Sequence, residues 1–230
     1  LICIDRTYRP TIVGCDAFAS IQAGINTVRN STVLVAAGTY DEDLTINLVG
    51  LNLLGAGPGL SIIRGTINDA TNATIRINAS NVTVAGFTIT RNGNNPADWN
   101  NNLNTAGIAI QGQAITGTTI RDNLITGNRT GIDINNSSGH TIRNNVIDNN
   151  RTGMLMRNQT DNLSVYENAI TNNWTVGVLF IDGSGNSNSP SQSATGTAFR
   201  NNNISGNWYG QIEDRGNTNI PAYIKNFSAN

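Results

Sequence analysis

The chain repeats itself at a period of 22 residues. One unit reads Thr119-Ile-Arg-Asp-Asn-Leu-Ile-Thr-Gly-Asn-Arg-Thr-Gly-Ile-Asp-Ile. The next reads Thr141-Ile-Arg-Asn-Asn-Val-Ile-Asp-Asn-Asn-Arg-Thr-Gly-Met-Leu-Met. Ile120 aligns with Ile142, Asn123 with Asn145, Ile125 with Ile147, Asn128 with Asn150 and Gly131 with Gly153. A third unit fills the same slots with Val165, Asn168, Ile170, Asn173 and Gly177, carrying one inserted residue. A fourth, after a longer insertion, uses Phe199, Asn202, Ile204, Asn207 and Gly210. A fixed period of this size is the signature of a solenoid.

Within each unit apolar residues alternate over bursts of three, as in Thr-Ile-Arg and Ile-Asp-Ile, which is a strand signal. Asn, Gly, Asp and Ser separate the bursts and make turns. Three short strands and three turns in about 22 residues describe one coil of a parallel β-helix. Coils stack ~4.8 Å apart, so equivalent positions form columns along the axis. The reading divides the chain into a lead-in with a capping helix over 1–31 and a β-helix over 32–230. Insertions interrupt the β-helix near 91–106 and 182–194.

Charged residues make up 13% of the chain and the net charge is −1. No strong pull toward nucleic acid or anionic lipid is expected. No apolar run reaches the ~20 residues of a membrane helix. Cys3 and Cys15 are the only cysteines. A disulfide between them, closing an N-terminal loop, implies an oxidising compartment; two unrelated thiols is the alternative. Residues 1–15 read as a lead-in loop or edge strand. Asp16 is a suitable cap for a helix over 17–28, whose Phe18, Ile21, Ile25 and Val28 recur at helical spacing. That helix is expected to cover the first coil.

From Ser20-Ile-Gln-Ala through Val33-Leu-Val-Ala-Ala-Gly-Thr-Tyr40, Leu44-Thr-Ile46, Leu51-Asn-Leu-Leu-Gly-Ala-Gly57 and Ile62-Ile-Arg-Gly65, the chain resembles secreted right-handed parallel β-helix proteins of the pectate-lyase-like superfamily. The later Ile-x-x-Asn-x-Ile-x-x-Asn-x-x-Gly units resemble the same superfamily's repeat. The resemblance implies a right-handed single-stranded helix and a secreted, extracellular or cell-surface location. It names no reaction, because the superfamily spans lyases, esterases, polygalacturonases, epimerases, tailspikes and adhesins.

Two asparagine columns, Asn123/Asn145/Asn168/Asn202 and Asn128/Asn150/Asn173/Asn207, read as structural amide ladders. Just after the second runs a mixed column, Arg129, Arg151, Trp174 and Trp208, joined by Tyr209. With Trp99 in the first insertion, these residues are the candidate glycan platform. The bland reading is a surface stack that stiffens the coils. A further column, Arg121, Arg143, Tyr166 and Arg200, would suit a lyase base only beside a cluster of acids. Asp122, Asp148 and Glu167 do not form one by slot. Asp133 stands alone, with Leu155, Leu179 and Ile212 as its equivalents. Asp41-Glu42-Asp43 is a solvated run, and a Ca²⁺ site there lacks support. His140 is the only histidine, so neither it nor any metal or other cofactor is assigned a role. The paired-Asp and Gly-His-Gly signatures of polygalacturonases and the Asp-Pro-His signature of epimerases are absent.

Asn30, Asn72, Asn128, Asn150, Asn158 and Asn173 head Asn-x-Ser/Thr triplets and are glycosylation candidates if exposed. The chain stops in a partial coil containing Tyr223, Ile224 and Phe227. Covalent continuation or self-association is expected to complete it. The function read from all this is an extracellular or cell-surface structural or adhesive β-solenoid. The alternatives are a uronate lyase or epimerase, or a non-catalytic module that binds surface glycans.

Overall fold

The computed structural model describes residues 2–4, 16–66, 73–92, 106–112, 114–181 and 194–215. The described strands form three parallel sheets, one of nine strands and two of seven. The chain visits the sheets in turn. Thr119–Arg121 joins the first, Leu124–Thr126 the second and Thr130–Asn135 the third, and the next coil begins at Thr141. This is a right-handed parallel β-helix with three strands per coil. Among the described residues no helix is long and apolar enough to cross a membrane.

The repeat sets the register. Ile120 pairs with Ile142, and Ile142 with Val165. In the third sheet Ile132, Met154 and Val178 form one inward file and Ile134, Met156 and Phe180 another, all fully buried. Burying each such side chain contributes roughly 1.5–3 kcal/mol. The repeated glycine has a steric cause: a Cβ on Gly131 would lie 2.5 Å from the carbonyl oxygen of Gly153 on the next coil. The last unit departs from the alignment by one position. Gly210 pairs with Val176, and Glu213, not Ile212, pairs with Leu179. The unit carries the same extra residue as the one before it, so its third strand starts one position later.

Both asparagine columns are hydrogen-bonded ladders. Asn145 Oδ1 accepts from the backbone N–H and the Nδ2 of Asn123, both at 3.1 Å. Its Nδ2 donates to the Ile120 carbonyl and to Asn168 Oδ1, both at 3.0 Å. Asn128, Asn150, Asn173 and Asn207 repeat this scheme at the next turn. All eight amides are buried. Asn144, Asn149 and Asn172, exposed or half-buried beside the ladders, adopt left-handed φ near 52°, which asparagine tolerates.

The N-terminal region differs from expectation. Ile2–Ile4 and Asp16–Phe18 are strands that extend the first sheet outward from Val33–Val35. The helix is therefore shorter than 17–28, spanning Ile21–Thr27, and its cap is Ser20 rather than Asp16. Ser20 Oγ accepts from Ala23 N, while Glu42 takes the Ile21 and Gln22 N–H groups at 2.9 and 3.0 Å. Ile21, Ile25 and Val28 pack into the core, as a cover for the first coil requires.

Asp41-Glu42-Asp43 is solvated only at Asp41; Glu42 and Asp43 are half-buried. Asp41 pairs with Arg64, Glu42 holds the helix start, and Asp43 meets buried Arg91 at 3.2 Å. The three carboxylates thus go to three different partners. The expected Cys3–Cys15 bond, Trp99, Asn72, most of both insertions (93–105 and 182–193) and the assembly residues Tyr223, Ile224 and Phe227 fall outside the described side chains.

Asn145→Leu leaves the buried Asn123 N–H without its acceptor and removes the side-chain donor from the Ile120 and Arg143 carbonyls. It is expected to cost about 3 kcal/mol or more in urea unfolding. Asn201→Gly, at an exposed left-handed turn residue (φ 52), should change stability by less than about 1 kcal/mol.

Candidate functional site

The mixed column is real in the backbone. Arg151 N donates to Asn128 O at 3.0 Å, Trp174 N to Asn150 O at 2.8 Å and Trp208 N to Asn173 O at 3.1 Å. The ladder asparagines thus hold Arg129, Arg151, Trp174 and Trp208 in file at the turn into the third sheet. Their side chains part company. Arg129 and Arg151 line a groove of about 410 Å³ on the outer face of the third sheet. Trp174 lines a neighbouring hollow of about 390 Å³ and donates its indole N–H to Asn149 Oδ1 at 3.0 Å. Trp208 borders both spaces. Its ring centroid lies 6.5 Å from that of Tyr209, with the planes 47° apart. These two rings are 74% and 70% exposed.

The groove floor is apolar, with Leu155, Val176, Leu179 and Ile181 on outward positions of adjacent strands. From the Arg129 coil to the Trp208 coil there are three inter-coil steps, roughly 14 Å of rod. Burial pushes both guanidinium pKa values below the ordinary arginine range, and the Arg129 charge pushes Arg151 further. Beneath the groove, Arg157 grips Asp133 with two bonds, Nε to Oδ1 at 3.0 Å and Nη2 to Oδ2 at 2.6 Å. Burial raises the Asp133 pKa more than this arginine lowers it. Glu213 also lines the groove, and its carboxylate folds back over Gly210. Asp133 and Glu213 stand in one row, separated by Leu155 and Leu179.

The other candidates do not assemble into a site. Arg121, Arg143, Tyr166 and Arg200 stand in register on the first sheet. Arg121 pairs with Asp122 at 2.5 Å, and Arg200 stacks over Tyr166, 4.3 Å from the ring centroid. Asp148 lies on the second sheet and accepts from Thr171 and Asn172, both at 2.8 Å. The glycosylation reading is corrected at Asn128, Asn150 and Asn173. These amides are buried ladder rungs, with no route to a transferase. Asn158 is also buried and donates to Asn135 at 2.8 Å, whereas Asn30 is exposed.

His140 sits inside the helix. Nδ1 accepts the Thr118 N–H at 3.2 Å, so Nε2 carries the proton toward Ser137 Oγ at 2.8 Å. The Ser137 hydroxyl donates to the Ile115 carbonyl at 2.7 Å. This tautomer cannot accept a proton from Ser137, so the pair is structural rather than nucleophile and base.

The sequence profile of the family described as "Periplasmic copper-binding protein (NosD)" matches residues 24–189, well over half of the chain. The chain belongs to the NosD family. No curated protein sequence matches it. Among solved structures, it is similar to the pectin methylesterase PemA from Erwinia chrysanthemi, with 15% identity and a TM-score of 0.57. That match covers 86% of this chain and 66% of the esterase, so the chain spans just under two thirds of that neighbour's length. Escherichia coli YbhC matches at 10% identity and a TM-score of 0.60, covering 95% of this chain and 68% of YbhC. The catalytic domain of a GH87 α-1,3-glucanase, in complex with tetrasaccharides, matches at 18% identity and 0.58, covering 91% and 40%. At these identities the likeness establishes the fold.

Sequence reasoning found the rim of this groove and missed its floor. The missed signal is the continuous apolar runs Gly153-Met-Leu-Met and Gly177-Val-Leu-Phe-Ile181, where alternation gives way and Leu155, Leu179 and Ile181 face outward. The clamp on Asp133 was also missed, because Arg157 reaches it from the next coil and two positions along.

Burial lowers the His140 pKa from 6.5 to about 4. Between these values the unfolded chain takes up the proton and the folded chain does not. Stability is therefore complete above about pH 6.5 and falls as the pH drops toward 4. The expected loss between pH 7 and 4.5 is about 2–3 kcal/mol in urea unfolding. His140→Gln, which keeps an acceptor for Thr118 and a donor for Ser137, should remove most of that slope. An unchanged slope in this variant would refute the assignment.

Proposed function

We propose that the chain is a β-solenoid scaffold working outside the cytoplasm, whose third-sheet groove binds a saccharide chain. The observation that carries this reading is the pairing of two well-exposed rings, Trp208 and Tyr209, with an apolar floor and flanking guanidiniums. Sugar rings present flat C–H faces to aromatic rings and hydroxyls to charged donors, and this surface offers both. The family description, which names periplasmic proteins, supports the location. Oligosaccharide complexes on this fold support the ligand class.

Binding is favoured over hydrolysis by the carboxylates. Glycosidases hold two carboxyl groups ~5–10 Å apart across the scissile bond. Here Asp133, beneath the groove, and Glu213, in its lining, are rooted three coil steps apart, roughly 14 Å, in one row. One is clamped by Arg157 and the other folds over Gly210.

The family description also names copper. The described donor side chains do not fit that ion. The Met154 and Met156 side chains are fully buried in the core, and both His140 ring nitrogens are engaged. Among the described residues no three His, Cys, Asp or Glu side chains form a group that could hold a metal. We assign these residues no copper chemistry.

The test is calorimetric titration with a panel of neutral and acidic oligosaccharides. At least one class should bind, and Trp208→Ala should weaken it about tenfold, ~1.4 kcal/mol, without lowering Tm. Trp174→Ala, outside the groove, should have a smaller effect. Binding by no member of the panel, or undiminished binding by a Trp208→Ala/Tyr209→Ala double variant, would overturn the reading.

A further inference from the structure

Trp208 borders two spaces, and the saccharide reading above uses only one of them. The second is the hollow of about 390 Å³ lined by Asn172, Asn173, Trp174, Gly206 and Trp208. Its size lies within the roughly 300–1,000 Å³ of small-molecule sites. Trp174 and Trp208 hold the same slot on successive coils, through Trp174 N to Asn150 O at 2.8 Å and Trp208 N to Asn173 O at 3.1 Å. Two indoles whose backbones are one step, ~4.8 Å, apart therefore wall one small space.

A change in the repeat opens it. The slot before the ladder asparagine reads Gly127, Asn149, Asn172 and Gly206 in successive units. Asn149 holds down the indole of the next coil: Trp174 donates its N–H to Asn149 Oδ1 at 3.0 Å and is 47% exposed. One coil later the scheme lapses. Asn172 turns its Nδ2 to Asp148 Oδ1 at 2.8 Å, and Trp208 stands 74% exposed. Gly206, on the Trp208 coil, adds no side chain to the space. A Cβ there would lie 2.8 Å from Asn172 Oδ1, inside the lining of the hollow.

The lining offers indoles and amides and carries no ionisable group. Indole faces suit the C–H faces of a sugar ring, and amides exchange hydrogen bonds with its hydroxyls. A sugar carboxylate there would lose water without gaining a cation, with the Asp148 carboxylate bonded to Asn172 close by. We infer that this hollow is a second sugar subsite, seating a neutral unit of the same chain that lies in the groove, with the Trp208 ring shared between the two. The inference rests on the saccharide reading and extends it: the ligand crosses Trp208, from the outer face of the third sheet to the turn that precedes that sheet.

The test is affinity against chain length. Cello-oligosaccharides and N-acetylchito-oligosaccharides of increasing length, from the monosaccharide upward, are titrated calorimetrically into wild-type protein, beside an oligogalacturonate series of the same lengths. For at least one neutral series, affinity should climb with length and level off once both spaces are filled. Trp174→Ala should lower that plateau about fivefold and bring it to a shorter chain. Gly206→Asn refills the slot as Asn149 and Asn172 do, at a φ of 67° that asparagine tolerates. It should act on the plateau in the same way while keeping both indoles. Tm confirms that each variant folds. The oligogalacturonates should level off at the shorter chain already in wild-type protein, or fail to bind. An unchanged length profile in either variant would overturn this inference and leave the groove standing. So would an equal loss at every length, a galacturonate plateau as long as the neutral one, or binding by oligogalacturonates alone. Binding by none of the three series would sink both.

Discussion

A ladder asparagine touches three coils at once. Asn145 takes two hydrogen bonds from Asn123, reaches back to the Ile120 carbonyl, and donates forward to Asn168. The strands it separates are three residues long and offer few backbone bonds of their own. A slip of one residue would turn every apolar column outward and leave the buried amides unpaired, at about 1–3 kcal/mol each. Hydrophobic burial drives the coil closed, and the amide ladders fix which residue stands over which. Stability in such a stack is carried by contacts between neighbouring coils, so the register is a property of the whole file.

The groove is a consequence of that register. The ladder turns hold Arg129, Arg151, Trp174 and Trp208 in one column. The adjacent row runs Asp133, Leu155, Leu179, Glu213. Neither is uniform: the column passes from guanidinium to indole and the row from acid to leucine and back. A face that would otherwise be a repetitive polar surface becomes one apolar depression with cations at one end and aromatic rings at the other. The groove forms where the repeat stops copying its outward residues while still copying its inward ones.

This explains what the sequence could reveal. Inward slots repeat in kind at a constant offset, so Ile120 over Ile142 and Asn123 over Asn145 could be read directly, and the fold with them. Backbone position of the Arg/Trp column was equally legible. Side-chain direction was not. Whether an indole leans to Asn149, as Trp174 does, or over the third sheet, as Trp208 does, depends on packing across coils. The Asp133–Arg157 clamp is diagonal across two coils and has no slot signature. The extra residue in the last unit shifted Glu213 into the groove row, which a fixed offset placed one position away. At the N-terminus, Asp16 looks like a helix cap, but pairing of Asp16–Phe18 with Ile2–Ile4 competes for that segment and delays the helix to Ser20.

The most direct probe of the amide ladders is residue-resolved hydrogen exchange in the native protein. The backbone N–H groups of Asn123, Asn128, Asn145 and Asn150 sit at turns, where amides ordinarily exchange fast. Here each is bonded to the next ladder amide. They should exchange as slowly as core strand residues such as Ile142, through cooperative opening of the stack. Exchange of these four at the rate expected of exposed turn amides would contradict the account, because the columns, and the groove built on them, would then have no fixed register.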